Sequence, residues 1–225
     1  TGDSQKLKRT VEAVLRITFL TALPMGVGIS VLAQPAARLI YGARPGTVIV
    51  GRVLTILGAA SVFAALCGPL NSILQAMGHV ELPVVLTLIG LFVKAVLDYT
   101  LAAVPRVNVL GGAVGTLVCY ALASVLACIA IRRIAGVKID FFSTFKKPFL
   151  ASVCCGVAAL LTHKAWCAVL PESRFSALPA VFLGALIYVV FLLIARGICE
   201  EDIKALPNGE KITKRLEKYL QKAGG

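Results

Sequence analysis

The sequence predicts an all-α integral membrane protein with six transmembrane helices and short interfacial helices. Three observations carry that prediction. Of 225 residues, 58% are hydrophobic and only 15% charged, where a soluble domain of ordinary composition has about 25% charged residues. The mean hydropathy is +0.88. The apolar residues fall in runs of about 20, the length an α-helix needs to cross a bilayer core. The lysines and arginines are also distributed unevenly about those runs, as positive-inside topology requires.

In chain order, residues 1–10 are polar and basic, with Lys6, Lys8 and Arg9. Residues 11–33 form the first span, with Arg16 near its start and Pro24, Gly26 and Gly28 inside, a composition that suggests a kink. Residues 34–41 are too short to cross and read as an interfacial turn of helix closed by Gly42. Residues 48–77 hold the second span, passing Gly68-Pro69 into Asn71 and Gln75. The link 78–81 is so short that spans two and three must be antiparallel neighbours. Residues 82–104 form the third span, with Pro83 in its first turn, where proline fits. Residues 109–131 form the fourth span, which opens with Gly111 and Gly115 in a GxxxG spacing and ends at Arg132-Arg133.

Residues 137–147 read as a basic amphipathic connector in which Phe141, Phe142 and Phe145 sit beside Lys146-Lys147. Residues 149–170 and 177–198 are the fifth and sixth spans. The tail 199–225 carries a turn at Pro207-Asn208-Gly209, then an apolar stripe of Ile212, Leu216, Tyr219 and Leu220 among lysines. This stripe fits a helix lying on the membrane surface. The organisation is therefore four spans in residues 1–136, an additional pair in 137–198, and an amphipathic tail.

With six spans, sixteen of the 23 basic residues fall on the side of both termini and six on the other, leaving Lys94 within the third span. Both termini are expected in the cytoplasm. The chain opens Thr1-Gly2-Asp3 without an initiator Met or the features of a signal peptide. A C-terminal piece of a longer protein is the expectation.

The formal net charge of +12 does not indicate nucleic acid. The basic residues flank apolar runs, where headgroups account for them, and no basic platform interleaved with aromatics is present. The seven cysteines lie in or at the ends of apolar runs without CxxC or zinc spacing, so no metal or cofactor is expected. His79 and His163 lie in different connections, and no Ser/His/Asp, HExxH, P-loop or dinucleotide motif appears. An enzyme is not expected.

The residues that do ask for an explanation are Lys94 and Asp98, one turn apart within an apolar span. Each charge costs roughly 2.5–3.5 kcal/mol at a membrane helix centre, so their shared face must meet protein or water. Two readings stand for Lys94: a charge lining a polar cavity, where it meets an anionic group or a coupling ion, or a structural pair with Asp98. For Asp98 the structural reading is the stronger. Asn71 and Gln75 also share a face at i,i+4; helix–helix hydrogen bonds are favoured over ligand contacts there. Gly111 and Gly115 read as helix packing.

Four blocks in order carry a family resemblance. Residues 31–42 (VLAQPAARLIYG) resemble the end of the ninth helix of MATE-like flippases, and residues 71–79 (NSILQAMGH) resemble their Leu-Gln-small-x-Gly segment. Residues 93–99 (VKAVLDY) resemble a lysine-aliphatic-Leu-Asn-Tyr stretch, and residues 110–120 (LGGAVGTLVCY) the glycine-rich opening of the twelfth helix. Order and spacing resemble the stage V sporulation protein B and polysaccharide-exporter branch of the MOP superfamily, related to the lipid II flippase MurJ. The resemblance implies that the six spans are equivalent to helices nine to fourteen of a fourteen-helix flippase in the bacterial plasma membrane.

Its implied partners are the lipid bilayer, an undecaprenyl-diphosphate-linked glycan or lipid II-like substrate, and the N-terminal part of the same protein. It also implies a lipid-tail groove bordered by residues 154–161 and 183–193. Asp98 departs from the Asn of the pattern and could neutralise Lys94. A MATE-type cation-coupled drug exporter and a non-transporting scaffold or sporulation factor remain alternatives.

Overall fold

The computed structural model describes residues 2–42, 44–104 and 109–136, together with 149–161 apart from 151, 155, 158 and 159. Within them the chain forms α1 (Gly2–Val31), α2 (Ala33–Tyr41), α3 (Thr47–Ala76), α4 (Glu81–Ala102) and α5 (Val109–Ala135). The described residues of 149–161 are helical as well. No strand occurs among the described residues. Four helices are long and apolar enough to cross a membrane: Thr10–Val31, Thr47–Ala76, Glu81–Ala102 and Val109–Ala135. They coincide with the first four expected spans. The connector 137–147, most of the fifth span, the sixth span and the tail lie outside the described residues.

α1 starts earlier than the apolar run does. Residues 3–23 contain neither glycine nor proline, so nothing stops the helix from continuing through its polar, basic turns. α1 continues past Pro24 and α3 past Pro69. α2 ends at Gly42, whose φ of 72° suits glycine, and its N–H donates to the Arg38 carbonyl. The α3–α4 connection is equally tight: Gly78 takes φ 86°, and the His79 N–H donates to the Leu74 carbonyl at 3.1 Å.

α3 is the hub and packs against α1, α2, α4 and α5. The common core takes Val11, Leu15, Phe19 and Leu23 from α1, Leu66, Leu70, Ile73 and Leu74 from α3, and Ala127 and Ile131 from α5. The α1 residues recur every fourth position, one stripe of a helix. In lipid, apolar burial alone does not favour one helix partner over another, so close approach and interhelical hydrogen bonds decide the pairing. At the α1–α3 crossing, a Cβ on Gly26 would strike Val62 and lie 2.7 Å from the Gly58 carbonyl oxygen. A Cβ on Gly58 would lie 2.9 Å from the Gly26 carbonyl oxygen. Ser30 Oγ donates across this crossing to the Thr55 carbonyl at 2.9 Å. A Cβ on Gly156 would lie 2.7 Å from Val27, so the described residues around Gly156 sit against α1.

Candidate functional site

α4 is the least covered of the four spans: only Pro83 and Gly90 are buried. Its contacts run chiefly to α5, along a row spaced by helical turns. Gly90 lets α4 approach so closely that a Cβ there would lie 3.0 Å from the Cys119 carbonyl oxygen. Further along, a Cβ on Gly115 would collide with Asp98 Oδ1 and lie 3.5 Å from Lys94 Cγ. At the far end, a Cβ on Gly111 would lie 2.8 Å from Leu101 Cβ. Gly90, Lys94, Asp98 and Leu101 thus form one face of α4, laid on Gly111, Gly115 and Cys119 of α5. The GxxxG spacing of α5 serves a neighbour within the chain, with a charged pair over its second glycine.

Lys94 Nζ donates to Asp98 Oδ2 at 2.7 Å, with the two side chains 27% and 35% exposed. Asp98 Oδ1 is shut away from solvent and has no hydrogen-bond partner among the described residues. The carboxylate therefore has one oxygen on an ammonium and the other pressed on the Gly115 backbone. A side chain at position 115 would deny it that place. An ion pair at this depth offsets part of the cost of placing each charge there, and Lys94 keeps two N–H donors beyond the one given to Asp98. The threonine hydroxyls of these helices are spent within their own helices: Thr87, Thr100 and Thr116 donate to the carbonyls of Pro83, Val96 and Gly112. The pair therefore supplies the charge chemistry of this seam.

Asn71 and Gln75 are not part of it. They lie on α3, half-buried and exposed respectively. Neither side chain makes a hydrogen bond to another helix among the described residues. The favoured helix–helix bonds at these two positions are not present there, because the packing face of that turn is taken by Leu70, Ile73 and Leu74. Helix spacing alone could have placed Gly90 with Lys94 and Asp98, since the three recur every fourth residue.

A second feature has no short sequence signature. An apolar groove of about 690 Å³ lies between α1, α3 and α5, with Phe19, Leu23, Val62, Phe63 and Leu66 on its walls. Phe149 and Arg132 also line it. It assembles from three helices and Phe149, mostly at ordinary apolar positions, so no single stretch reveals it. Of the implied tail-groove surfaces, Cys154, Leu160 and Leu161 are exposed, while 183–193 lies outside the described residues.

Compared with known proteins, residues 1–190 match the family described as lipid II flippase MurJ. The chain belongs to the lipid II flippase MurJ family. Within the curated relatives of this MurJ family member, the stage V sporulation protein B of Bacillus subtilis (strain 168) is 23% identical over 209 residues, covering 90% of this chain and 38% of the relative. An uncharacterized membrane protein of the same organism, YabM, is 22% identical over 230 residues, covering 97% of this chain and 41% of the relative. The chain thus spans about two fifths of the length of these relatives. No solved structure matches it. Family and helices together make this a multi-pass α-helical membrane protein.

Proposed function

We propose that the chain works as the C-terminal part of a flippase for a lipid-linked oligosaccharide or peptidoglycan precursor, acting by alternating access together with an N-terminal part of the same protein. The family match over residues 1–190 carries this reading, and the α4–α5 seam gives it a physical form. An anionic diphosphate needs cationic donors at membrane depth, and Lys94 offers an ammonium with donors to spare. In this reading Asp98 holds Lys94 in place and moderates its charge, so that the head group is bound and then released. The apolar groove between α1, α3 and α5 supplies a surface on which a prenyl tail can rest while the head crosses. The charge distribution supports both termini in the cytoplasm of a bacterial cell. The family description makes lipid II the first substrate to assay, and the name of the Bacillus relative makes sporulating cells the first setting.

The test is transport by the full-length protein. Loss of the protein is expected to leave lipid-linked precursor accumulated on the cytoplasmic leaflet, and Lys94→Ala to reproduce that accumulation at normal protein levels. Normal transport by Lys94→Ala overturns the role given to Lys94. Normal precursor levels combined with lost drug efflux would point instead to a cation-coupled exporter.

A further inference from the structure

The chain has a second basic feature, at the opposite end of α1 from its basic first turns. Between Glu12 and Glu81 there is no acidic residue, yet Arg38, Arg44 and Arg52 fall in this stretch. All three are exposed, and none has an ion-pair partner among the described residues. They do not hang on a loose loop. α2 is held to α3 by buried Ala33 and Ala37. Gln34 Nε2 donates to the Val48 carbonyl at 2.9 Å, with its carboxamide over Gly51, where a Cβ would collide with it. Thr47 Oγ1 donates to the Gly42 carbonyl at 2.9 Å. Beside the arginines, Ile40 is 72% and Tyr41 52% exposed, and Val48 and Ile49 are exposed as well.

Connectivity fixes where this surface lies. α1 leaves the bilayer before α2, and α3 re-enters at Thr47, so α2 lies at a membrane surface whichever side that is. Exposed Ile40 and Tyr41 suit the acyl boundary, and arginines suit phosphates, which their planar forks bind with two hydrogen bonds. Arg52 starts about 7.5 Å further along α3 than Thr47, within reach of the headgroup layer by snorkelling.

We propose that the α2 collar is a docking surface for the bilayer's own anionic phospholipid, whose phosphate headgroup is gathered by Arg38, Arg44 and Arg52 while Ile40 and Tyr41 dip below it. The proposal is independent of what the protein transports.

The test places a reporter in the collar of the full-length protein: Tyr41→Trp, with Trp166 and every other native tryptophan changed to Phe. The protein is reconstituted in phosphatidylcholine vesicles holding a minor fraction of phosphatidylglycerol, with bromine on the chains of one lipid or the other. Per molecule, brominated phosphatidylglycerol is expected to quench about fivefold more strongly, the enrichment that roughly one surface cation gives. That preference should shrink as salt is raised, and should vanish in the Arg38→Gln/Arg44→Gln/Arg52→Gln variant. Equal quenching by the two lipids, quenching by neither, or a preference insensitive to salt overturns the proposal. The salt series needs no arginine variant, so the outcome does not hinge on how the triple variant folds.

Discussion

The carboxylate of Asp98 on α4 rests against Gly115 on α5, at a spot that a methyl group would fill. This contact explains why a glycine is needed in the middle of α5 and why a charged pair can lie within a helix seam. Lys94 holds the other carboxylate oxygen at 2.7 Å.

Gly115→Ala forces Asp98 to move or α4 and α5 to part. A cost of about 1–3 kcal/mol is expected, typical of overpacking, visible as a lower unfolding temperature in detergent. In the Asp98→Ala background the same substitution should cost distinctly less, because the clashing atoms are gone. Equal costs in both backgrounds would show that the carboxylate does not occupy that place.

Removing one partner of the Lys94–Asp98 pair should cost more than removing both. Lys94→Met or Asp98→Leu alone leaves a charge at membrane depth without its counterion, a loss of about 1–3 kcal/mol. The double substitution should recover most of it. Thermal unfolding of the four proteins forms the cycle, and additive losses would mean that the two side chains do not interact.

Gly26 and Gly28 lie on the same helix two residues apart and should respond oppositely. A Cβ at 26 strikes Val62, whereas one at 28 meets nothing within 4 Å. Gly26→Ala is expected to destabilise and to loosen the α1–α3 crossing. Gly28→Ala should be neutral or stabilising by up to about 1 kcal/mol, since alanine is the better helix former. Protease resistance of the two variants in membranes separates the outcomes.

The charge count assigns Arg44 to the outer face and His79 to the cytoplasmic face. In the full-length protein with every native cysteine replaced by alanine, the seven of this chain included, Arg44→Cys should react with an impermeant maleimide in intact cells. His79→Cys should react only after permeabilisation. The reverse pattern would invert the topology.

The four spans within the described residues were legible because crossing length and apolarity are local properties of a run. Their ends were less so. α1 runs back to Gly2 and α5 on to Ala135, since polar residues that are good helix formers continue a helix beyond the bilayer. The candidate site was half legible. Spacing put Lys94 and Asp98 on one face and marked Gly111 and Gly115 as small, but nothing in either run says that one faces the other. Asn71 and Gln75 had the same i,i+4 spacing and gained no partner helix among the described residues, because a polar pair marks a face without choosing what covers it. The groove between α1, α3 and α5 was invisible, being a shape shared among three helices.

By itself the sequence determined that this chain crosses a membrane as helices, where the four crossings among the described residues lie, and that the third of them carries Lys94 and Asp98 one turn apart. The tertiary structure alone decided that α5 covers that pair, that Gly115 receives Asp98 and that Gly26 meets Gly58. The reason is physical. Entry into lipid is governed by each segment's own composition, whereas the choice of neighbour in lipid depends on how two separately encoded surfaces fit.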